Sequence, residues 1–260
     1  MVSTRTRIVL RRTRRALILV CLLLLALASS YLALAFRATG FGPEVLASDR
    51  RVRVDDRPDA LVFLPTTDRG DAGVIFFPGC PVPPDAYAPF ARALAEHGYP
   101  VFVMKVPYRC ATLAAQQEQL FAAAHAAMRS MPRRWVVAGH SRGAVHASAL
   151  VAREPRLSAG LALIGTTHPR DVDLSSLSIP VTKIYGTRDG VAPEQRIRAT
   201  AHLLPPSTRW VRIEGGNHRQ FGYYRYQLWD RSATLSREAQ QEQTVEAVID
   251  LLRQTSAVQP

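Results

Sequence analysis

The chain has 260 residues, 33 Lys and Arg against 21 Asp and Glu, a formal charge of +12, and only three cysteines. Seven arginines and no acid fall within residues 1–37, so the remainder carries only +5. That mild excess, with no basic helix interleaved with aromatics, does not argue for nucleic acid, and no nucleic-acid partner is expected. No zinc-type Cys/His spacing and no glycine-rich phosphate loop occurs, so neither a metal nor a cofactor is expected.

Residues 1–15 form a basic arm carrying Arg5, Arg7, Arg11, Arg12, Arg14 and Arg15. Residues 16–36 are an uncharged run of 21, broken only by Ser29, Ser30 and Tyr31, with Cys21 inside it. At about 1.5 Å per residue, a helix of that length crosses a hydrocarbon core of about 30 Å. The arginines before it and the absence of acids predict a cytoplasmic N-terminus and an extracytoplasmic domain. The triplets Ala26-Leu27-Ala28 and Ala33-Leu34-Ala35 also resemble cleavage sites, so secretion after signal cleavage stays open. The run is longer than a usual signal core, which favours a retained anchor, and both readings export the domain. Val20 before Cys21 argues against a lipoprotein.

Residues 37–50 read as a tether and residues 51–255 as one domain, ample for a single core. Arg51 to Leu64 alternates as one or two leading strands, and Gly73 to Phe77 is a third. Asp85 to Gly98 reads as an amphipathic helix, Val101 to Val106 as a strand, and Thr112 to Arg129 as an Ala/Gln-rich helix. Further strands are expected at Trp135–Ala138, Gly160–Gly165, Val181–Gly186 and Arg209–Ile213, and Ser236 to Gln254 reads as the closing helix.

The strand Trp135–Ala138 runs into Gly139-His140-Ser141-Arg142-Gly143, and an Ala-rich segment from Ala144 to Val151 follows. Strand, Gly-x-Ser-x-Gly and helix together are what a nucleophile elbow requires. A serine hydroxyl is a poor nucleophile near neutral pH, so it needs a base, and the base needs an orienting carboxylate. In this architecture the order is Ser, then Asp or Glu, then His. Asp189 follows the strand Val181–Gly186, and His218 follows Arg209–Ile213, so both stand at strand ends in that order. Asp189 also reads as a helix cap. His168, after the strand Gly160–Gly165, is the rival base, but it precedes Asp189 and breaks the order. His125 and His146 fall within expected helices, His97 and His202 near helix ends, and His140 inside the elbow.

From about Val74 to the last helix the chain resembles the α/β-hydrolase superfamily, in particular its compact family 5 branch related to dienelactone hydrolase. Phe76-Phe77-Pro78-Gly79-Cys80, the elbow, and Glu214-Gly215-Gly216-Asn217-His218-Arg219-Gln220-Phe221-Gly222 carry the resemblance. It implies a doubly wound, mostly parallel α/β sheet and a Ser–His–Asp hydrolase served by Ser141, His218 and Asp189. Relatives often have Gly-Gly where this chain has Gly79-Cys80, and Leu-Gly-Gly where it has Arg142-Gly143-Ala144. Many carry a cap insertion near residues 166–180, where this chain has no room for one, so a shallow, open site is expected.

The oxyanion of an acyl transfer needs two backbone donors. The N–H of Arg142 is one, and the N–H of Cys80 is the best second, since Pro78 and Pro81 have none. In the family's sheet the strands before Cys80 and Cys110 are neighbours, and an exported domain permits a Cys80–Cys110 disulfide. Arg142 reads either as a solvated side chain or as an attractor for an anionic substrate. Tyr223, Tyr224, Tyr226 and Trp229 read as packing against the last helix, with a substrate wall or a membrane surface as alternatives. The resulting expectation is a membrane-anchored serine hydrolase acting on a small-molecule or lipid acyl substrate. An acyltransferase on envelope lipids or glycans, and a non-catalytic binding module on the same fold, are the alternatives.

Overall fold

The computed structural model describes residues 4–257. Its strands are β1 (Val52–Asp56), β2 (Ala60–Pro65), β3 (Ala72–Phe77), β4 (Val101–Met104), β5 (Arg134–His140), β6 (Gly160–Ile164), β7 (Val181–Gly186) and β8 (Arg209–Ile213). They form one sheet in the order β1-β2-β4-β3-β5-β6-β7-β8. β2 runs antiparallel to both neighbours, and every other pairing is parallel. The segment read as one or two leading strands is therefore a hairpin at the sheet's edge.

Helices α2 (Ala88–Glu96) and α6 (Arg237–Ala257) cover one face, and α3 (Ala114–Ser130) and α4 (Arg142–Arg153) the other, while the short α5 (Glu194–Arg198) links β7 to β8. The strand period of two dictates this division. Val74 and Phe76 of β3 pack with Phe90, Leu94, Val248 and Leu252, whereas Ile75 and Phe77 pack with Leu120, Phe121, Ala147 and Leu150. Because both faces are covered, the central strands are apolar throughout rather than alternating. Each fully buried Phe or Leu contributes about 1.5–3 kcal/mol over its exposed state.

The helix expected over Asp85 to Gly98 is shorter than that span. A 3-10 turn at Pro84–Tyr87 precedes α2, because Pro83 and Pro84 fix the approach, and Pro89 occupies the first turn, where a missing N–H costs little. Gly98, at φ +91°, ends the helix. Between β6 and β7 no helix or strand intervenes, so the fold has no cap at that crossover.

At the N-terminus α1 (Thr4–Ala35) continues through the basic arm, and its segment Val9–Ala35 is long and apolar enough to cross a membrane. Residues 37–50, read as a tether, make contacts with the domain. Ala38 bridges Tyr224, and the Thr39 N–H donates to the Tyr223 carbonyl at 2.9 Å. Arg92 of α2 is buried and donates to the carbonyls of Glu44 (2.9 Å), Val45 (3.2 Å) and Ala47. A buried guanidinium needs such acceptors, and this segment supplies them, so it is held against the domain.

Candidate active site

The order of the strands reverses between β3 and β5, and ligands of open α/β sheets bind beyond the strand ends at such a switch point. β5 ends at His140 and α4 begins at Arg142, leaving Ser141 between them at φ +53° and ψ −119°. A non-glycine residue held there stores strain on the order of 1–3 kcal/mol. The turn closes because Gly139 and Gly143 lack side chains. A Cβ on Gly143 would overlap the Phe77 carbonyl, and one on Gly139 would overlap the backbone of Gly143. The Ser141 N–H donates to Ile164 at 2.9 Å, pinning the elbow to β6.

Beyond the ends of β7 and β8, Asp189 and His218 meet. His218 Nδ1 lies 2.8 Å from Asp189 Oδ2, and both residues are buried. Asp189 Oδ1 accepts the N–H groups of Val191 at 2.9 Å and Ala192 at 2.6 Å. Its capping role and its histidine contact thus use different oxygens, which locks the carboxylate's orientation. Burial alone would lower the His218 pKa; the Asp189 charge and hydrogen bond, with Asp230 behind them, reverse this and raise it above its ordinary value. With Nδ1 committed to Asp189, Nε2 is the ring atom left to exchange a proton.

Three further groups brace this arrangement, and sequence reasoning missed their roles. Asp230 Oδ1 accepts the N–H of Gly190 at 3.2 Å and of His218 at 3.1 Å, and its Oδ2 accepts that of Arg219 at 3.0 Å. Gln240 of α6 brackets Asn217, accepting its N–H at 3.0 Å and donating to its carbonyl at 2.7 Å. The Tyr87 hydroxyl accepts the Gly79 N–H at 3.0 Å and lies 2.8 Å from His140 Nδ1. The His140 ring stands 4.6 Å from that of His218, and burial, with the nearby His218 charge, holds its pKa well below the ordinary value. A neutral imidazole therefore sits beside the candidate base.

Of the two expected oxyanion donors, Arg142 opens α4 directly after Ser141. Cys80 follows Gly79, where a Cβ would stand 3.3 Å from the Ser141 Cβ. Among the described residues, neither amide donates to another protein group. Cys80 is disulfide-bonded to Cys110, with Cα atoms 4.7 Å apart, as the adjacency of β3 and β4 allows. The Cys110 carbonyl accepts His146 Nε2 from α4 at 3.1 Å, so the bridge is braced against the helix that carries the elbow.

Ser141 and His218 share a shallow cleft of about 220 Å³, with Arg142, His168, Arg170 and Val191 on its walls. His168, the rival base, has Arg170 Nη2 at 2.9 Å from its Nε2. Burial, followed by the Arg170 charge, pushes its pKa down to about 4. A larger groove of about 560 Å³ between α2 and α6 holds none of the three candidate catalytic residues.

A family model described as "Alpha/beta hydrolase family" matches residues 73–242. Among solved structures, TT1662 from Thermus thermophilus is 18% identical with a TM-score of 0.58, covering 78% of this chain and 98% of its own. XC6422 from Xanthomonas campestris, described as an α/β serine hydrolase without lid, is 18% identical at TM-score 0.56, covering 82% and 99%. The esterase domain of a Rhodothermus marinus protein is 15% identical at TM-score 0.56, covering 77% and 98%. These likenesses are of fold, and no curated protein matches. The family match spans more than half of the chain, which belongs to the α/β hydrolase family.

Proposed function

We propose that the protein is a membrane-anchored serine hydrolase that cleaves an ester or related acyl bond. The observation that carries this reading is the buried His218–Asp189 pair at 2.8 Å, opening on the same cleft as the strained Ser141. Ser141 Oγ attacks the acyl carbonyl as His218 Nε2 takes its proton, and Asp189 holds the tautomer and stabilises the imidazolium. The N–H groups of Cys80 and Arg142 receive the oxyanion, and losing one such donor costs about 3 kcal/mol of transition-state stabilisation. His218 then protonates the leaving group, and water activated by the same base releases the acyl group from Ser141.

The cleft is small and has no cap, which favours short or protruding acyl groups. α1 is read as a retained anchor with its N-terminus cytoplasmic and the domain outside. The disulfide supports an exported domain, since such bonds persist in oxidising compartments. Relatives of the same fold are described as an esterase domain and as lipolytic enzymes, in keeping with an acyl substrate.

The test is labelling of the full chain by a fluorophosphonate, beside Ser141→Ala and His218→Ala. The native protein is expected to label and both variants to lose it. Absence of labelling in a folded native protein would remove the enzyme reading. Labelling that survives His218→Ala but not His168→Ala would reassign the base.

A further inference from the structure

The end of α1 is built into the domain. Four residues before the last, the Tyr31 hydroxyl accepts the N–H of Leu228 at 3.1 Å, and its ring meets that of Tyr226 edge-on at 6.1 Å. The Ala35 carbonyl accepts the N–H groups of Arg225 and Tyr226 at 3.0 and 2.9 Å, and Phe36 stacks on Tyr224 at 5.8 Å. The loop from Tyr226 to Trp229 is therefore level with the last turn of α1, not beyond it. Four residues of helix correspond to about 6 Å along the axis.

Three of that loop's four side chains face outward. Tyr226 is 50% exposed, Leu228 43% and Trp229 78%, and the Tyr226 ring and the Leu228 N–H both meet Tyr31 of α1. Exposed Arg37, Arg225 and Arg231 flank them. Aromatic rings bordered by arginines match the chemistry of a bilayer's interfacial layer, with rings at headgroup level and guanidinium groups reaching the phosphates.

We propose that the Tyr226–Trp229 loop is seated in the interface of the bilayer that α1 crosses, and holds the cleft at the membrane surface. This rests on the reading of α1 as a span: whatever is hydrogen-bonded to the last turn of a spanning helix shares its depth. Trp229 is also coupled to the cleft. Its carbonyl packs where a Gly190 side chain would be, and the next residue, Asp230, holds the N–H groups of Gly190 and His218. Val191, adjacent to Gly190, is a cleft wall. The substrate is accordingly an amphiphile presented at the bilayer surface, with its acyl bond at headgroup depth.

The test uses the full chain and Trp229→Phe, each reconstituted into phosphatidylcholine vesicles, plain or brominated near the headgroup end of the acyl chains. Trp135 is buried and Trp210 half-buried in the body of the domain, so the wild type minus the variant isolates Trp229 emission. Seated in the interface, that component is roughly halved or lower in brominated vesicles. Flotation after an alkaline carbonate wash reads the anchor separately. A protein that floats with Trp229 undimmed overturns the seated loop alone and assigns the patch to a protein partner. A protein stripped from the vesicles overturns the anchor and the seated loop together. Fluorophosphonate labelling of the same samples reports the catalytic reading independently of both.

Discussion

The Asp230 carboxylate accepts the backbone N–H of His218 at 3.1 Å, so the loop carrying the candidate base is held by an acid twelve residues further on. The same carboxylate takes the N–H groups of Gly190 and Arg219, tying the Asp189 turn to the His218 turn. Asp230→Ala leaves those amides without their acceptor, at roughly 2–4 kcal/mol in sum. It also frees the imidazole to move, and misplacement near 1 Å at a reacting group costs on the order of tenfold or more in rate. A lowered melting temperature together with slower fluorophosphonate labelling is expected. Asp230→Asn, which keeps one acceptor oxygen, should lose less of both. Wild-type melting and labelling in Asp230→Ala would show that the tie is dispensable.

The pH dependence of labelling follows from the environment of His218. Burial opposes its protonation, but the Asp189 charge and hydrogen bond outweigh burial, and the folded pKa lies above the ordinary 6.5. A base must be neutral to act, so labelling is lost as pH falls, with a midpoint above 6.5. In Asp189→Asn the opposing charge is gone, burial dominates, and the midpoint moves below that value. The plateau rate also falls, by about 10⁴-fold, because the wrong tautomer is held. A rate profile for each protein between pH 5 and 9 checks both signs; an unmoved midpoint would detach Asp189 from the base.

How much of this was legible in the sequence depends on whether the physics is local. Ser141, Asp189 and His218 each follow a strand, so strand ends and chain order nominate them as candidates. Asp230 and Gln240 act on backbone groups brought together by folding, and no pattern around either announces it. Gln240 stands in the run Ala239-Gln240-Gln241-Glu242-Gln243, which reads as a solvated helix face, yet it is fully buried. Residues 37–50 read as a tether for the same reason: their anchor, Arg92, is some 45 residues away. The disulfide lay between, since neighbouring strands implied proximity but spacing alone cannot supply geometry.

The Cys80–Cys110 bridge closes a loop with a sequence separation of 30, for which the chain-entropy treatment gives about 3–4 kcal/mol of stabilisation. Cys110→Ser should lower the melting temperature accordingly. Because Cys80 carries a candidate oxyanion donor, labelling should also slow, by less than the roughly 10²-fold cost of deleting such a donor. In the native, non-reduced chain, thiol titration should find Cys21 alone, and three thiols after reduction. Full labelling by the Ser variant would mean that β3 and the Tyr87–Gly79 contact hold the donor without help.

Lys183 presents a separable linkage. It is fully buried in β7, donates to the His168 carbonyl beneath the cleft wall, and burial pushes its pKa down to about 7. An unfolded lysine titrates near 10.4, so between the two values the unfolded chain binds a proton that the folded chain does not. Stability from this group therefore rises as pH rises from about 7 towards 10.4, by roughly 5 kcal/mol at full effect. Lys183→Met keeps the length and apolar stem while removing the titration. Thermal melts in detergent at pH 7 and 9.5 should show the wild type gaining on the variant at the higher pH. At pH 7 and below the variant should equal or exceed the wild type, because the wild type must there bury a charge or take up the cost of staying neutral. Parallel melting curves across that range would place the Lys183 amine in water rather than under the cleft.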